Sequence, residues 1–270
     1  MTIENYIAKM GMLFNPFHKN AKDIIISNGQ FNEASFRLGY LEKTKGFGLL
    51  TGAPGRGKTT IVRKWSSGLN PSLYKVFYIC LTTLTVQDFY RSLAVGMGLE
   101  PSYKKTENFR MIQDEITHMS VDRKKTPVII IDEANYIKNA VLNDLKMLFN
   151  FEMDSRDRAI VLLTGLTQLN LTLSLSCNEP LRQRIVMNYN VEGMTKEEGR
   201  EYISGKLKGA GCSTEVFDAS AVEAILNASD GTARMINKYC STCLMIAAAK
   251  ELPVIAADTV MQAVNECELQ

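Results

Sequence analysis

A glycine-rich stretch between an apolar run and a helical pattern constrains the fold of this chain more than any other feature. Residues 51–60 read Thr-Gly-Ala-Pro-Gly-Arg-Gly-Lys-Thr-Thr, after the apolar run 47–50 and before the helical pattern 61–65. This order predicts a buried strand, a tight loop and a helix. Glycines permit the backbone conformations in which successive N–H groups point inward at the N-terminus of a helix. Such a loop is typical of a site that holds phosphate groups.

The loop matches the pattern G-x-x-x-x-G-K-[ST] at every specified position, through Gly52, Gly57, Lys58 and Thr59. We expect Lys58 to reach the β- and γ-phosphates of a nucleotide, and the Thr59 hydroxyl to hold Mg²⁺. The residues expected to surround the phosphates are Gly52, Ala53, Pro54, Gly55, Arg56, Gly57, Lys58, Thr59 and Thr60. The pattern therefore predicts a nucleotide-binding protein.

A second candidate site follows another apolar run. Residues 128–131 are all aliphatic, which is typical of a central parallel strand covered on both faces. Asp132 and Glu133 then lie at its carboxyl end, where open α/β sheets place their ligands. We expect Asp132 to bind Mg²⁺ through water and Glu133 to polarise the attacking water. A non-functional acidic pair is the alternative, but the complete phosphate loop favours the functional interpretation.

Three further candidates come later in the chain. Residues 159–163 predict another strand, which ends in Thr164. Thr164 is either a contact to the γ-phosphate and the attacking water or a simple turn residue. Arg182 and Arg184 precede the last predicted strand, 186–191. They are either solvated surface residues or the source of an arginine that reaches the γ-phosphate of a neighbouring protomer, a role worth several orders of magnitude in rate.

Composition narrows the class of protein. Apolar residues make up 46% of the 270 residues and charged residues 22%, which is ordinary for a globular protein. The net charge of +2 argues neither for nor against nucleic-acid binding, because the local clustering of charges decides that question.

Cys240 and Cys243 have no second pair or histidine cluster beside them, so we expect buried thiols there. The N-terminus lacks a signal-peptide layout and no apolar run approaches roughly 20 residues, so we expect a cytoplasmic protein without membrane contact.

From residue 192 the pattern changes to consecutive amphipathic helices. They are predicted from a capping box at Thr195 and Glu198 to about residue 209, and at 216–229, 232–250 and 257–266. We therefore expect an α/β nucleotide-binding domain at 1–191, with an N-terminal extension at 1–45, followed by a small all-helical lid at 192–270. The α/β domain is expected to hold a parallel five-stranded sheet flanked by helices, with strands at 47–50, 75–80, 128–131, 159–163 and 186–191.

The phosphate loop, the acidic pair, the polar strand end, the arginines before the last strand and the helical lid together resemble the AAA+ ATPases. Arg234, within the Gly-Thr-Ala-Arg-Met-Ile-Asn of residues 231–237, matches the sensor-2 arginine with which that family reaches the nucleotide from the lid. The resemblance implies ATP and Mg²⁺ as ligands and ATP hydrolysis as the activity. The chain departs from the family at Thr232 and Ala233, where relatives often have proline before the arginine.

More narrowly, four segments are similar to the TnsC/TniB/MuB/ExeA group of this family: residues 14–17, 131–135, 181–185 and 231–237. Many members of the group regulate transposition. The resemblance therefore implies an ATP-dependent homo-oligomer, a ring or a helical filament, on double-stranded DNA, which selects or presents target DNA to a DDE-type transposase. It also implies an arginine acting between protomers, with Arg182 favoured over Arg184. The alternatives are an ExeA-like secretion or envelope-assembly ATPase and a nucleotide switch that binds protein partners without DNA.

Three lysines are candidates for DNA contact. In assemblies of this type, segments such as those carrying Lys104, Lys105 and Lys138 tend to line the central channel. There they would neutralise DNA phosphates without reading sequence, so binding would be salt-dependent and sequence-tolerant. An ordinary solvated charged face is the alternative.

Overall fold

The computed structural model of the protein describes residues 2–22, 24–80 and 84–268. They group into two compact units. As far as they are described, Met1–Asn32, Pro54–Gly57 and Glu192–Gln270 form unit 1, and Glu33–Ala53 and Lys58–Val191 form unit 2. No helix in the described ranges combines the length and the apolar character that crossing a membrane requires.

In the described part of unit 2, five strands form one sheet: β1 Gly46–Gly52, β2 Tyr74–Ile79, β3 Thr126–Ile131, β4 Ile160–Gly165 and β5 Ile185–Val191. All neighbouring strands run parallel, in the order β2-β3-β4-β1-β5. The inner strands β1, β3 and β4 are almost wholly buried, as expected for continuous apolar runs in a parallel sheet. The predicted five-stranded parallel sheet is confirmed.

The described residues also form twelve α-helices: α1 Ile3–Lys9, α2 Gly29–Thr44, α3 Lys58–Gly68, α4 Val86–Met97, α5 Lys105–Val121, α6 Asn139–Leu148, α7 Gln168–Ser174, α8 Glu179–Arg182, α9 Lys196–Gly209, α10 Ala219–Ser229, α11 Ala233–Lys250 and α12 Ala257–Cys267. Helices α3 to α8 belong to unit 2, α1 and α9 to α12 belong to unit 1, and α2 contributes to both. The sequence also predicts helices at 30–42, 85–96 and 109–119, where α2, α4 and α5 lie, and it predicts none at α1, α6, α7 or α8.

Helix α2 approaches strand β1 closely at Gly48. A Cβ added to Gly48 would collide with Leu41 of α2 and would lie 3.2 Å from Leu162 and 3.3 Å from Met187. Leu41 is completely buried at this contact. The absence of a side chain at Gly48 therefore lets the helix pack directly on the strand whose carboxyl end carries the phosphate loop.

The core of unit 1 joins the N-terminal segment to the C-terminal helices. Tyr6 of α1 is completely buried, and its hydroxyl donates a hydrogen bond to the Leu252 carbonyl oxygen at 2.9 Å. The Phe17 ring packs edge-on against the Phe217 ring, with centroids 6.3 Å apart. The N-terminal segment thus packs with the helices that follow residue 191. The division of the chain into domains at 1–191 and 192–270 stays a prediction.

The start of α9 agrees with the sequence and the start of α10 does not. The predicted capping box is present, because the Thr195 hydroxyl accepts from the Glu198 amide at 3.2 Å and the Glu198 carboxylate accepts from the Thr195 amide at 3.0 Å. Helix α10 begins at Ala219, although a start at residue 216 was predicted. Phe217 instead forms a short parallel bridge with Ile255, and the Asp218 side chain caps the helix.

Two cysteines of α11 are free and buried. Cys240 and Cys243 are completely buried in α11, and burial raises the pKa of the Cys243 thiol to about 12. Among the described residues, no cluster of three or more histidines, cysteines or carboxylates could hold a metal ion. The prediction of ordinary buried thiols is confirmed.

Candidate active site

The phosphate loop joins the end of β1 to the start of α3, as the motif requires. Gly55 and Gly57 have φ values of 75° and 92°, which side-chain-bearing residues rarely adopt. A Cβ added at Gly57 would meet no described atom within 4 Å, so the backbone is open to a ligand at this point. Thr59 and Thr60 lie in the first turn of α3. The loop therefore has the open, glycine-dependent conformation that a phosphate group needs.

Lys58 stands at the first position of α3. Its ammonium group donates hydrogen bonds to the carbonyl oxygens of Gly52 at 2.8 Å and Ala53 at 3.0 Å. These contacts hold the side chain back along the loop that precedes it. A cation at a helix N-terminus, beside open main-chain amides, is suited to binding a polyphosphate.

The tip of the loop contacts the start of α11 within unit 1. The Arg234 amide donates to the Gly55 carbonyl oxygen at 3.3 Å. The Arg56 guanidinium donates to the carbonyl oxygen of Asp230 at 2.8 Å and to its carboxylate at 2.9 Å. The structure therefore brings Arg234, the predicted sensor residue, to the phosphate loop, and the Arg234 side chain is exposed there.

Asp132 lies at the carboxyl end of β3, between the ends of β2 and β4. Its carboxylate accepts hydrogen bonds from the Tyr78 hydroxyl at 2.7 Å and from the Glu133 amide at 2.9 Å. It also accepts one from the Thr164 hydroxyl, at the end of β4. The three strands are adjacent and parallel, with Ile131 in register with Ile79 and Leu163, so side chains at their ends meet.

The three hydrogen bonds that the Asp132 carboxylate accepts affect how it could bind Mg²⁺. A carboxylate that accepts three hydrogen bonds is suited to binding the ion through water, and Mg²⁺ keeps several waters in most protein sites. Thr59 is exposed and offers a hydroxyl oxygen, the other ligand that the sequence predicts. Burial and the hydrogen bond to Asp132 raise the pKa of Tyr78, so its hydroxyl stays protonated and keeps donating. The residues present therefore fit a magnesium ion, which Thr59 and Asp132 would hold.

Glu133 has a strained backbone. Its φ of 53° and ψ of 35° lie in the left-handed region, which costs a residue with a Cβ about 1 kcal/mol or more. The side chain is exposed beyond the end of β3. Strain of this kind clusters at functional sites, where the surrounding structure holds the residue in place. The catalytic role expected for Glu133 stays a prediction.

Thr164 is almost completely buried, with 1% of its surface exposed. Because its hydroxyl hydrogen is donated to Asp132, its contacts link two of the predicted site residues. The contact to a γ-phosphate stays a prediction. Next to it, the Asn135 side-chain oxygen accepts from the Leu166 amide at 2.9 Å, which fixes the turn after β4.

The two candidate arginines lie in different surroundings. Arg184 donates to the Lys146 carbonyl oxygen at 2.9 Å and forms an ion pair with Asp154 at 2.5 Å, and 18% of its side chain is exposed. Arg182 is 48% exposed and is 4.0 Å from the Glu179 carboxylate. Arg184 is thus engaged inside its own chain, whereas Arg182 is available to a partner.

The three candidate lysines also differ. Lys105 forms an ion pair with Asp144 at 2.7 Å, and Lys104 forms one with Glu107 at 3.1 Å. Lys138 is exposed, immediately before α6. The first two lysines therefore have acidic partners within the chain, and the contact of each lysine with DNA stays a prediction.

Sequence reasoning missed Tyr78, Asn135 and the partner of Arg56. Tyr78 looked like part of an apolar strand, and its role depends on the neighbouring strand β3. Asp230 is separated from Arg56 by most of the chain. One signal could have identified Tyr78 as a site residue. It is a polar residue near the carboxyl end of its strand, and the carboxyl ends of parallel strands lie together at one edge of the sheet.

A protein-family model and a curated protein both match this chain. Residues 41–173 match the family model described as an AAA domain. The chain is 30% identical over 251 residues to General secretion pathway protein A of Aeromonas hydrophila. The aligned segment covers 91% of this chain and 45% of that protein. The chain thus spans about half the length of this curated relative.

Solved structures share the fold. CDC6P from Pyrobaculum aerophilum superposes with a TM-score of 0.70 at 17% identity, over 93% of this chain and 70% of that chain. Aeropyrum pernix ORC1 in complex with DNA gives a TM-score of 0.66 at 16% identity, over 94% and 69%. The matched segment 41–173 contains the phosphate loop, Asp132, Glu133 and Thr164. Residues 41–173 therefore match an AAA domain, and the chain shares its fold with these solved structures.

Proposed function

We propose that this protein binds and hydrolyses ATP with the help of Mg²⁺. The observation that carries the proposal is the position of the Asp132 carboxylate at the end of β3. It accepts hydrogen bonds from the hydroxyls of Tyr78 on β2 and Thr164 on β4, the two neighbouring strands. In the same sheet, β1 ends in a complete phosphate loop. A phosphate loop and a carboxylate at the carboxyl edge of one parallel sheet are typical of sites for phosphoryl chemistry.

The residue roles follow from this arrangement. The main-chain amides of residues 52–60 and the Lys58 ammonium would bind the phosphates, and Thr59 and Asp132 would hold Mg²⁺, the latter through water. When bound, Mg²⁺ neutralises charge that develops on the phosphoryl oxygens. Glu133 would orient the attacking water and accept its proton. Thr164 would orient the Asp132 carboxylate and contact the γ-phosphate. Arg234 would contact the nucleotide from the helical segment at residues 192–270.

We further propose that ATP joins identical copies of the chain. Arg182 would reach the γ-phosphate of a neighbouring protomer, because it is half exposed whereas Arg184 is engaged by Lys146 and Asp154. ATP would then bind the assembled state more tightly than the separated chains and shift the population towards the assembly. Hydrolysis would release it.

The finer proposal is a regulator of DNA transposition. Such an assembly would enclose double-stranded DNA and present it to a DDE-type transposase. The similarity of four sequence segments to the TnsC/TniB/MuB/ExeA group supports this, and the fold shared with an ORC1 protein in complex with DNA is compatible with it. Lys138 is the strongest DNA-contact candidate, because Lys104 and Lys105 have acidic partners.

The second candidate is a secretion-linked ATPase. It is favoured by one specific observation, the 30% identity to General secretion pathway protein A over 251 residues. The chain spans 45% of that relative, and the two proposed functions would differ in their partners. Both proposals assume the predicted division of the chain into domains at residues 1–191 and 192–270.

ATPase assays with and without duplex DNA, combined with electron microscopy of the same mixtures, separate the candidates. A transposition regulator would form rings or filaments on DNA when ATP is present. A secretion-linked ATPase or a protein-binding switch would hydrolyse ATP with no response to DNA. Absence of nucleotide binding in every condition would overturn the ATPase proposal itself.

Replacement of Glu133 by Gln tests the assignment of the base. The amide cannot accept a proton but keeps the shape of the side chain, so kcat is expected to fall at least about 100-fold while ATP is still bound. ATP-bound oligomers should accumulate, as measured by sedimentation with labelled ATP. Hydrolysis at the normal rate would show that another group activates the water.

A further inference from the structure

Arg56, which occupies an unspecified position of the G-x-x-x-x-G-K-[ST] pattern, makes two hydrogen bonds from the loop tip. Its guanidinium donates to the Asp230 carbonyl oxygen at 2.8 Å and to the Asp230 carboxylate at 2.9 Å. Only 14% of the Arg56 side chain is exposed, whereas 92% of the Asp230 side chain is. The arginine is thus packed into unit 1 instead of reaching into solvent.

The surroundings are shaped to receive this side chain. A Cβ added to Gly193 would overlap the Arg56 guanidinium and would lie 3.0 Å from the Asp230 carbonyl oxygen. Asp230 itself has a left-handed backbone, with φ of 46°, where it ends α10. This conformation stops the helix and leaves the Asp230 carbonyl oxygen in contact with Arg56.

A second contact holds the loop on its other side. The Arg234 amide donates to the Gly55 carbonyl oxygen. A Cβ added to Gly55 would lie 2.7 Å from Arg234 Cβ and 3.0 Å from Thr232 Cγ2. The turn that precedes α11 therefore packs directly on the backbone of the loop tip. Arg56 and Gly55 are both bound to the same short segment, residues 230–234.

We propose that Arg56 is a positioning residue that fixes the tip of the phosphate loop on the turn at residues 230–234. A phosphate loop binds well when its amides already point inward, because ordering a flexible loop on binding costs affinity. The anchored tip would pass any movement of the 230–234 turn to the amide of Gly57. This inference rests on the proposed nucleotide binding and adds a control element to that site.

The contacts predict how strongly different substitutions of Arg56 and Asp230 would weaken the attachment of the loop tip. The ion pair with the Asp230 carboxylate is exposed on one side and contributes little, as is usual for surface pairs. The bond to the Asp230 carbonyl oxygen is independent of that side chain. Asp230→Asn is therefore expected to have a smaller effect than Arg56→Ala. Arg56→Lys should be intermediate, because one ammonium can replace only part of the forked contact.

Two variants remove the anchor by different routes. Arg56→Ala deletes the side chain, and Gly193→Ala leaves Arg56 in the sequence but displaces its guanidinium. Gly39→Ala is the matched control, because a Cβ at Gly39 meets no described atom within 4 Å. Arg200→Ala controls for loss of a positive charge in unit 1, since Arg200 pairs with Glu197 and Glu223 at the surface.

The first measurement is hydrogen exchange in the nucleotide-free protein. We expect the amides of residues 55–58 to exchange about tenfold faster in Arg56→Ala and Gly193→Ala than in the wild type or the controls, because the restraint on local opening is lost. Unchanged exchange in both variants would overturn the proposal. This measurement does not depend on whether the protein binds ATP.

The second measurement is steady-state ATP hydrolysis. We expect KM for ATP to rise about fivefold in both variants, with a smaller change in kcat, because the loss is one of loop ordering before binding. A fall in kcat at constant KM would instead make Arg56 a transition-state contact and overturn the positioning role. A wild-type protein that binds no ATP would overturn the proposed function, while the exchange data would still decide on the anchor.

Discussion

Asp132 is surrounded by hydrogen-bond donors, and the Tyr78 hydroxyl is the donor that a single substitution removes most cleanly. Tyr78→Phe leaves the ring in place and withdraws one hydrogen bond from a carboxylate, a contact worth roughly 1.5 kcal/mol or more. We expect kcat for ATP hydrolysis to fall about threefold to tenfold, with a weaker response to Mg²⁺, because Asp132 is less firmly oriented.

Steady-state kinetics at several Mg²⁺ concentrations, together with thermal unfolding in the presence of Mg²⁺ and ATP, measure this effect. Tyr40→Phe is the matched control, because Tyr40 is 53% exposed on α2 and lies outside the candidate site. Activity and Mg²⁺ response equal to the wild type in Tyr78→Phe would show that Thr164 and the Glu133 amide orient Asp132 without help.

Single residues differ in how far the sequence can identify them. Lys58 and Thr59 belong to a local pattern, since one loop must bring all its phosphate-binding groups together. Asp132 was found because it ends a long aliphatic run. Tyr78 and the Asp230 partner of Arg56 were not found, because each contact joins elements that are distant in the chain. Local spacing carries no information about such pairs.

At the scale of elements, the contact between α2 and β1 depends on a missing side chain. Gly48→Ala would force Leu41, Leu162 or Met187 to move, and overpacking of this kind costs about 1–3 kcal/mol. Gly39→Ala, in the interior of α2, should instead stabilise the protein by about 0.5–1 kcal/mol. Urea unfolding of both variants measures the difference. Equal stability would mean that α2 shifts on the sheet at no cost.

Helix α10 offers a test of pH dependence. The Asp218 carboxylate accepts from the Ser220 hydroxyl and the Ala221 amide, both at 2.7 Å, and these bonds lower its pKa. The lowered native pKa means that ionised Asp218 stabilises the fold above the usual pKa of an aspartate. That stabilisation is lost as pH falls through the native value.

Asn caps helices about as well as Asp and does not titrate. The difference in Tm between the wild type and Asp218→Asn is therefore expected to stay constant from neutral pH down to about pH 5 and to move in favour of the variant below about pH 4. Calorimetric scans across this range measure it. A difference that is independent of pH would exclude ionisation of Asp218 as the cause.

The strands were easier to predict than the helix boundaries. Strands β1, β3 and β4 are buried parallel strands, and such strands are continuous apolar runs in sequence. Helix α10 was predicted from residue 216, but the Val216 carbonyl oxygen accepts a hydrogen bond from the Ile255 amide and Phe217 bridges to Ile255. Helix α5 begins at Lys105, four residues before the predicted start, because its first turn is polar.

At the scale of the whole molecule, the proposed function makes nucleotide binding, assembly and DNA retention parts of one linked equilibrium. A ligand that binds one state preferentially shifts every property of that state. Removing the nucleotide should therefore remove all three properties together. The segment that matches the AAA domain model, residues 41–173, contains the residue on which this test depends, Lys58.

Lys58→Ala removes the cation expected to reach the β- and γ-phosphates, and ATP affinity should fall at least about 100-fold through loss of buried charge-assisted hydrogen bonds. Fluorescence titration with labelled ATP, sedimentation and filter binding with duplex DNA measure the three properties in parallel. Lys64→Ala, at an exposed position of the same helix, is the matched control and should keep all three. If Lys58→Ala loses ATP but retains duplex DNA with unchanged strength, DNA binding is not driven by the nucleotide, and the linked assembly is wrong.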